Sequence, residues 1–152
     1  VEFGNLEEIC GKIEIVEPFK WQLLVEGKEI ALLAVGVLAK KYLDIAKANA
    51  WTLIGVRSVK PLDEEMLEKI FETHKYVFTI EEGAELGGFG ESVATKYLKD
   101  YADKYECRLQ VVGIRDEFIP HGTRYELIKY VGLDSTNIEQ IIKKYVMKGV
   151  RL

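Results

Sequence analysis

From residue 30 onward, short apolar runs alternate with stretches of helical periodicity, and this alternation constrains the fold more than any other feature of the chain. "IALLAV" at 30–35 is nearly all apolar, the pattern of a strand buried on both faces. Gly36 breaks it. Leu38, Ala39, Tyr42, Leu43 and Ala46 then share one helical face, with Lys40, Lys41, Asp44 and Lys47 opposite. "WTLIGVR", "YVFTI" and "CRLQVVGI" read as three further strands. Between the first two, Pro61 and Asp63 open a helix that buries Met66, Leu67, Ile70 and Phe71, Asp63 being placed to cap free backbone N–H groups. Between the next two, Val93, Ala94, Tyr97, Leu98, Tyr101, Ala102 and Tyr105 form an apolar stripe that predicts one helix. After the last strand the loop "RDEFIPHG" leads to a short helix through Leu127 and Ile128, ended by Gly132. Thr136 and Glu139 have capping-box spacing for a final helix carrying Ile138, Ile141, Ile142 and Tyr145.

Strands alternating with helices mean βαβ units and a mainly parallel sheet covered on both faces. "KWQLLVEGKEIALLAVG" supplies two strands around a Glu26-Gly27-Lys28 turn, the first of them antiparallel. The expected fold is therefore α/β: a three-layer αβα sandwich with a mostly parallel five-stranded sheet and one antiparallel edge strand. Residues 1–23 read as a linker or edge segment, with "KIEIVE" as a short strand. Residues 24–147 form the domain, and 148–152 are a tail.

Several function classes are excluded. The chain has 152 residues, 48% of them hydrophobic and 30% charged, which is enough apolar side chain for one ordinary core. Net charge is −4 with acids and bases interleaved, so no basic footprint for nucleic acid or anionic membrane exists. The apolar run around Ile30–Leu38 is far too short to span a bilayer. Cys10 and Cys107 give no disulfide framework, and His74 and His121 lack partners at metal-ligand spacing. Reduced thiols point to an intracellular, cytoplasmic protein. The opening at Val1 reads as a fragment of a longer protein. Abundant Lys and Glu with only three Gln and three Asn lean toward a thermophile composition.

In open α/β sheets ligands gather beyond the carboxyl ends of the strands. Three segments end there: Gly36, "RSVKPLD" and "EEGAELGGFG". The last could offer N–H groups at a helix N-terminus to a phosphate. Its spacing matches neither GxGxxG nor GxxxxGK[ST], however, and no Lys stands at its end. Glu81, Glu82 and Glu85 already occupy the favourable end of the helix dipole. The competing reading is a tight corner in which Gly87, Gly88 and Gly90 provide φ > 0 or close backbone packing. Glu81 and Glu82 as an acid–base pair conflict with strand geometry, which points neighbours to opposite faces. His121 with Asp116 could form a base and its orienting group, without a nucleophile beside them. His74 reads as a helix-end capping residue. Arg57 and Lys60 flank Ser58 and could meet either a phosphorylated ligand or acids of a neighbouring domain or subunit, with the second favoured.

Taken in order, "IALLAVG", "RSVKPLDE", "EEG" with "GGFG", and "DEFIPHG…VGLD" resemble the C-terminal domain of transketolase-like, thiamine-diphosphate-dependent enzymes. Within that group they are most similar to 1-deoxy-D-xylulose-5-phosphate synthases. The resemblance covers about residues 24 to 145. It implies a full-length transferase that condenses pyruvate with glyceraldehyde 3-phosphate, using thiamine diphosphate and Mg²⁺ held by preceding domains. No GDG-type motif occurs here, so the resemblance implies that this chain carries no catalytic, cofactor-binding or metal residue. Its partners would be the preceding domains and a second subunit of a homodimer. Arg57, Lys60, Asp63, Glu81, Glu82, Gly87, Gly88, Gly90, His121 and Gly122 would face them. Ser58, where the family often has a bulky apolar residue, leaves the branch open, with transketolase and the β subunits of 2-oxo-acid dehydrogenases as alternatives. Residues 1–20 lack the Arg-Tyr-Pro-rich joint expected at the end of the preceding domain, so a split parent also stays open. A stand-alone module for a phosphorylated ligand is the alternative of another class.

Overall fold

The structure, a computed structural model, describes residues 17–149. The expected strand at "KIEIVE" lies, apart from Glu17, outside the described residues, as does Cys10. Five strands form one sheet: β1 (Gln22–Val25), β2 (Ile30–Val35), β3 (Thr52–Val56), β4 (Tyr76–Ala84) and β5 (Arg108–Ile114), in the order β1-β3-β2-β4-β5. The pairs β2–β3, β2–β4 and β4–β5 are parallel, and β1 runs antiparallel to β3 at one edge. The mostly parallel sheet with one antiparallel edge strand is as expected. No helix among the described residues is long and apolar enough to cross a membrane.

The period-2 alternation of β2 explains the three layers. Leu32 and Ala34 face one side, where α1 (Leu38–Lys41), α2 (Leu43–Ala48), α5 (Arg124–Tyr130) and α6 (Ser135–Gly149) contribute Leu38, Ala46, Ile128, Ile138 and Ile142, and the joint between α1 and α2 contributes Tyr42. Ala31 and Leu33 face the other side, against Leu67, Ile70 and Phe71 of α3 (Glu64–Thr73) and Phe89 and Val93 of α4 (Phe89–Asp100). Both faces of the central strand are sealed, which is why it reads as an unbroken apolar run.

Four local expectations need correction. β1 and β2 follow each other around Gly27 but do not pair, because β3 lies between them. The connection crosses the end of β3 so closely that a Cβ on Gly27 would sit 2.5 Å from the Thr52 amide nitrogen, and Gly27 N donates to Thr52 Oγ1 at 3.0 Å. The helix expected over 38–46 is two short helices broken at Tyr42, whose buried hydroxyl donates to the Leu133 carbonyl at 2.8 Å. α4 ends at Asp100 rather than running to Tyr105; Tyr101 stays buried from the following turn, whereas Leu98 is 72% exposed. The cap of α6 is Asp134, which accepts from Thr136 N at 3.1 Å and Asn137 N at 3.2 Å, and Glu139 pairs instead with Lys143. A capping box does exist, one helix earlier, between Thr123 and Glu126.

Trp21 is buried and stacks edge-on to Phe89 at 5.5 Å, and α6 continues to Gly149.

His74 caps the C-terminus of α3 at the amino-terminal end of the sheet. Its Nε2 lies 2.7 Å from Thr52 Oγ1 and its Nδ1 lies 2.8 Å from Thr73 Oγ1. Burial holds its pKa below the ordinary 6.5, partly offset by the Ile70 carbonyl. Between the folded and unfolded values the unfolded chain therefore binds more protons. Stability is complete above the unfolded value and is lost as pH falls through the folded one. We expect urea midpoints to drop between about pH 7.5 and about pH 5.5, and His74→Gln to flatten that slope; an unchanged slope in the variant would assign the effect elsewhere.

Candidate functional site at the carboxyl ends of the strands

The chain passes from β2 to β3 on one side, then back past β2 to β4 on the other. The switch point therefore lies between the ends of β2 and β4, where such sheets bind ligands. Gly36, Glu81 and Glu82 stand at this crevice.

Glu81 is 7% exposed and turned toward α4. Its Oε2 accepts from Phe89 N at 3.0 Å and its Oε1 from Gly90 N at 2.8 Å. Glu91 accepts from Gly87 N. The N–H groups a phosphate would need are thus held by the chain's own carboxylates, which also complement the helix dipole. The glycines make this possible in different ways. Gly87 has φ +77° and open space around it. A Cβ on Gly88 would fall 2.5 Å from Glu81 Oε1 and closer still to the Ala84 carbonyl oxygen. A Cβ on Gly90 would fall 2.6 Å from Thr79 Oγ1, a buried hydroxyl without a hydrogen-bond partner among the described residues.

Asp63 is 5% exposed. Its Oδ1 accepts from Met66 N at 3.2 Å as the cap of α3, and its Oδ2 accepts from Trp21 N at 2.9 Å. It is a brace between α3 and the segment entering β1. Arg57 donates to Gln22 Oε1 at 2.6 Å on the exposed surface. Lys60 lines an open hollow of about 720 Å³ together with Gly87, Gly88, Lys96 and Lys99.

Glu82 points to the opposite face from Glu81 and pairs with Arg124 at the start of α5. These two, Gly122, Ile114, Ile119 and Leu127 line a second hollow of about 410 Å³. His121 is exposed, and among the described residues no hydrogen bond joins it to Asp116. Of the ten candidate residues, Lys60, Gly87 and Gly88 stand around one hollow and Glu82 and Gly122 around the other; Asp63 and Glu81 are buried braces, Gly90 is buried at the start of α4, and Arg57 and His121 are exposed outside both hollows. Arg124 and Gln22, the partners of Glu82 and Arg57, were not legible beforehand, because both pairings cross between elements more than thirty residues apart.

Among the described residues at this end of the sheet, no hydrogen bond joins a Ser, Thr or Cys to a histidine. Cys107 is pushed up to about 12 by burial, a protonated and unreactive thiol at neutral pH. Among the described residues no group of three or more His, Cys, Asp or Glu could hold a metal.

Residues 19–138 match the family model described as Transketolase, C-terminal domain. The chain belongs to that family. Over 144 residues it is 33% identical to the 1-deoxy-D-xylulose-5-phosphate synthase of Thermotoga petrophila, covering 95% of this chain and 23% of the relative. Over 136 residues it is 35% identical to that of Haemophilus influenzae, covering 90% of this chain and 21% of the relative. The chain thus spans less than a quarter of the length of these relatives. A solved structure described as a split-gene transketolase, inactive beta4 tetramer, superposes with TM-score 0.74 at 28% identity, over 85% of this chain and 43% of that one. Family membership agrees with the order of motifs from "IALLAVG" to "VGLD", and the superposition agrees with the sandwich built from them.

Proposed function

We propose that this chain is the third domain of a 1-deoxy-D-xylulose-5-phosphate synthase-like transferase, and that its work is packing against the rest of the enzyme. The full-length protein would condense pyruvate with glyceraldehyde 3-phosphate, with thiamine diphosphate and Mg²⁺ held outside this domain. The observation that carries the reading is an apolar rim. Each loop leaving a parallel strand exposes a large apolar side chain: Val37 after β2, Val59 after β3, Leu86 after β4 and Phe118, 88% exposed, after β5. Apolar groups that recur at one end of a sheet mark a surface meant to be covered. The carboxylates beside them do not suit a magnesium diphosphate, since Glu81 and Asp63 are engaged by backbone N–H groups.

Titration calorimetry of the chain with thiamine diphosphate and Mg²⁺ should give no binding heat. Micromolar, Mg²⁺-dependent binding would overturn the reading. A second reading, a subunit of a split transketolase, is favoured by the solved relative, whose description names a split gene and a tetramer. A GDG-containing domain several hundred residues upstream in the same reading frame would decide for the single chain. A stand-alone phosphate module is disfavoured by the carboxylates that fill the N-terminus of α4.

A further inference from the structure

Phe19 is a bulky residue held at φ +63°, a region that L side chains with large Cβ substituents avoid. The corner around it is held by several contacts. Its carbonyl accepts from Ser58 Oγ at 3.3 Å, Lys20 pairs with Glu65 at 2.5 Å, Trp21 N reaches Asp63, and Trp21 Nε1 donates to the Ser58 carbonyl at 2.8 Å. What these contacts hold in place is an aromatic ring that is 60% exposed. Strain maintained by surrounding structure at a residue whose side chain stays mostly exposed points to a residue positioned for something else. Val59, the exposed apolar residue of the β3 loop, follows Ser58 directly. Arg57 and Lys60 flank that pair, and among the described residues neither has a carboxylate partner. On a chain of net charge −4, two cations without carboxylate partners thus stand on either side of the exposed Val59. Central apolar anchors with charged rims are how protein interfaces concentrate their affinity.

We propose that Phe19, with Val59 beside it, is the anchor by which this domain docks on the preceding part of its own full-length protein. Arg57 and Lys60 meet carboxylates around the socket. The inference rests on the packing reading above and adds which residues carry it and the chemistry of the surface they meet: an apolar pocket with an acidic rim.

Hydroxyl-radical footprinting of this chain alone and within the full-length protein tests it. Phe19 and Val59 should react freely in the isolated chain and be protected at least about tenfold in the full-length protein, along with Leu86 and Phe118. Protection of Leu86 and Phe118 without Phe19 overturns the anchor and leaves the packing reading standing. Protection of none of the four overturns both. Phe19→Gly and Phe19→Asn, which accept the left-handed backbone, provide the second measurement. The isolated variants should melt no lower than the parent chain, while protease should release the domain from the full-length variants at least about tenfold faster. Unchanged release would overturn the proposal.

Discussion

Gly88→Ala should cost about 3–5 kcal/mol, a large share of the stability of an ordinary domain. The added Cβ would meet the Ala84 carbonyl oxygen and Glu81 Oε1, neither of which is the free end of a flexible side chain. Glu81 is pinned by two charge-assisted bonds from Phe89 N and Gly90 N, each worth about 1.5–3 kcal/mol. Relief therefore means giving up the cap of α4. Gly87→Ala, one residue earlier, should cost only about 1 kcal/mol, because its Cβ would enter open space and only the positive φ is penalised. Urea denaturation of the two variants makes the comparison. In a Glu81→Ala background Gly88→Ala should become only partly cheaper, because the clash with the Ala84 carbonyl oxygen remains when the shared contact with Glu81 is gone. A Gly88→Ala protein within about 1 kcal/mol of the parent would show that the corner is not tight.

The second large effect is expected at Asp63. Asp63→Ala removes the cap of α3, worth about 0.5–2 kcal/mol, and leaves Trp21 N buried without an acceptor, at about 1–3 kcal/mol. A total near 3 kcal/mol follows, together with a red shift of Trp21 emission as its ring leaves Phe89; a Trp51→Phe background isolates that signal. Asp63→Asn keeps one acceptor oxygen and should lose less than half as much. If Asp63→Ala were as stable as the parent while the full-length protein lost its domain contacts, the residue would belong to an interface instead.

Both sites show where sequence reading succeeds and stops. Asp63 was legible as a cap because its Met66 partner is three residues away, whereas Trp21 N, forty-two residues back, was not. Glu81 was legible as an acid at the dipole of α4. That it bonds N–H groups eight and nine residues on depended on how the glycine corner folds. Thr123–Glu126 and Thr136–Glu139 have the same spacing, yet only the first forms a capping box. Asp134 takes the N–H groups at the start of α6, and Glu139 is drawn to Lys143 and Asn49. Leu98 fitted the apolar stripe of α4 but is exposed in the folded domain.

The amino-acid sequence by itself determined the αβα layering, the two-sided burial of β2, the caps at Asp63 and the breaks at Gly36 and Gly132. Each depends on side-chain periodicity or on contacts within one turn, where chain distance and spatial distance agree. Tertiary structure alone decided that β3 lies between β1 and β2, that Arg124 meets Glu82, and that apolar side chains from four separate loops gather at one end of the sheet. These depend on which strands become neighbours, a choice made by packing across long sequence separations that no local pattern records.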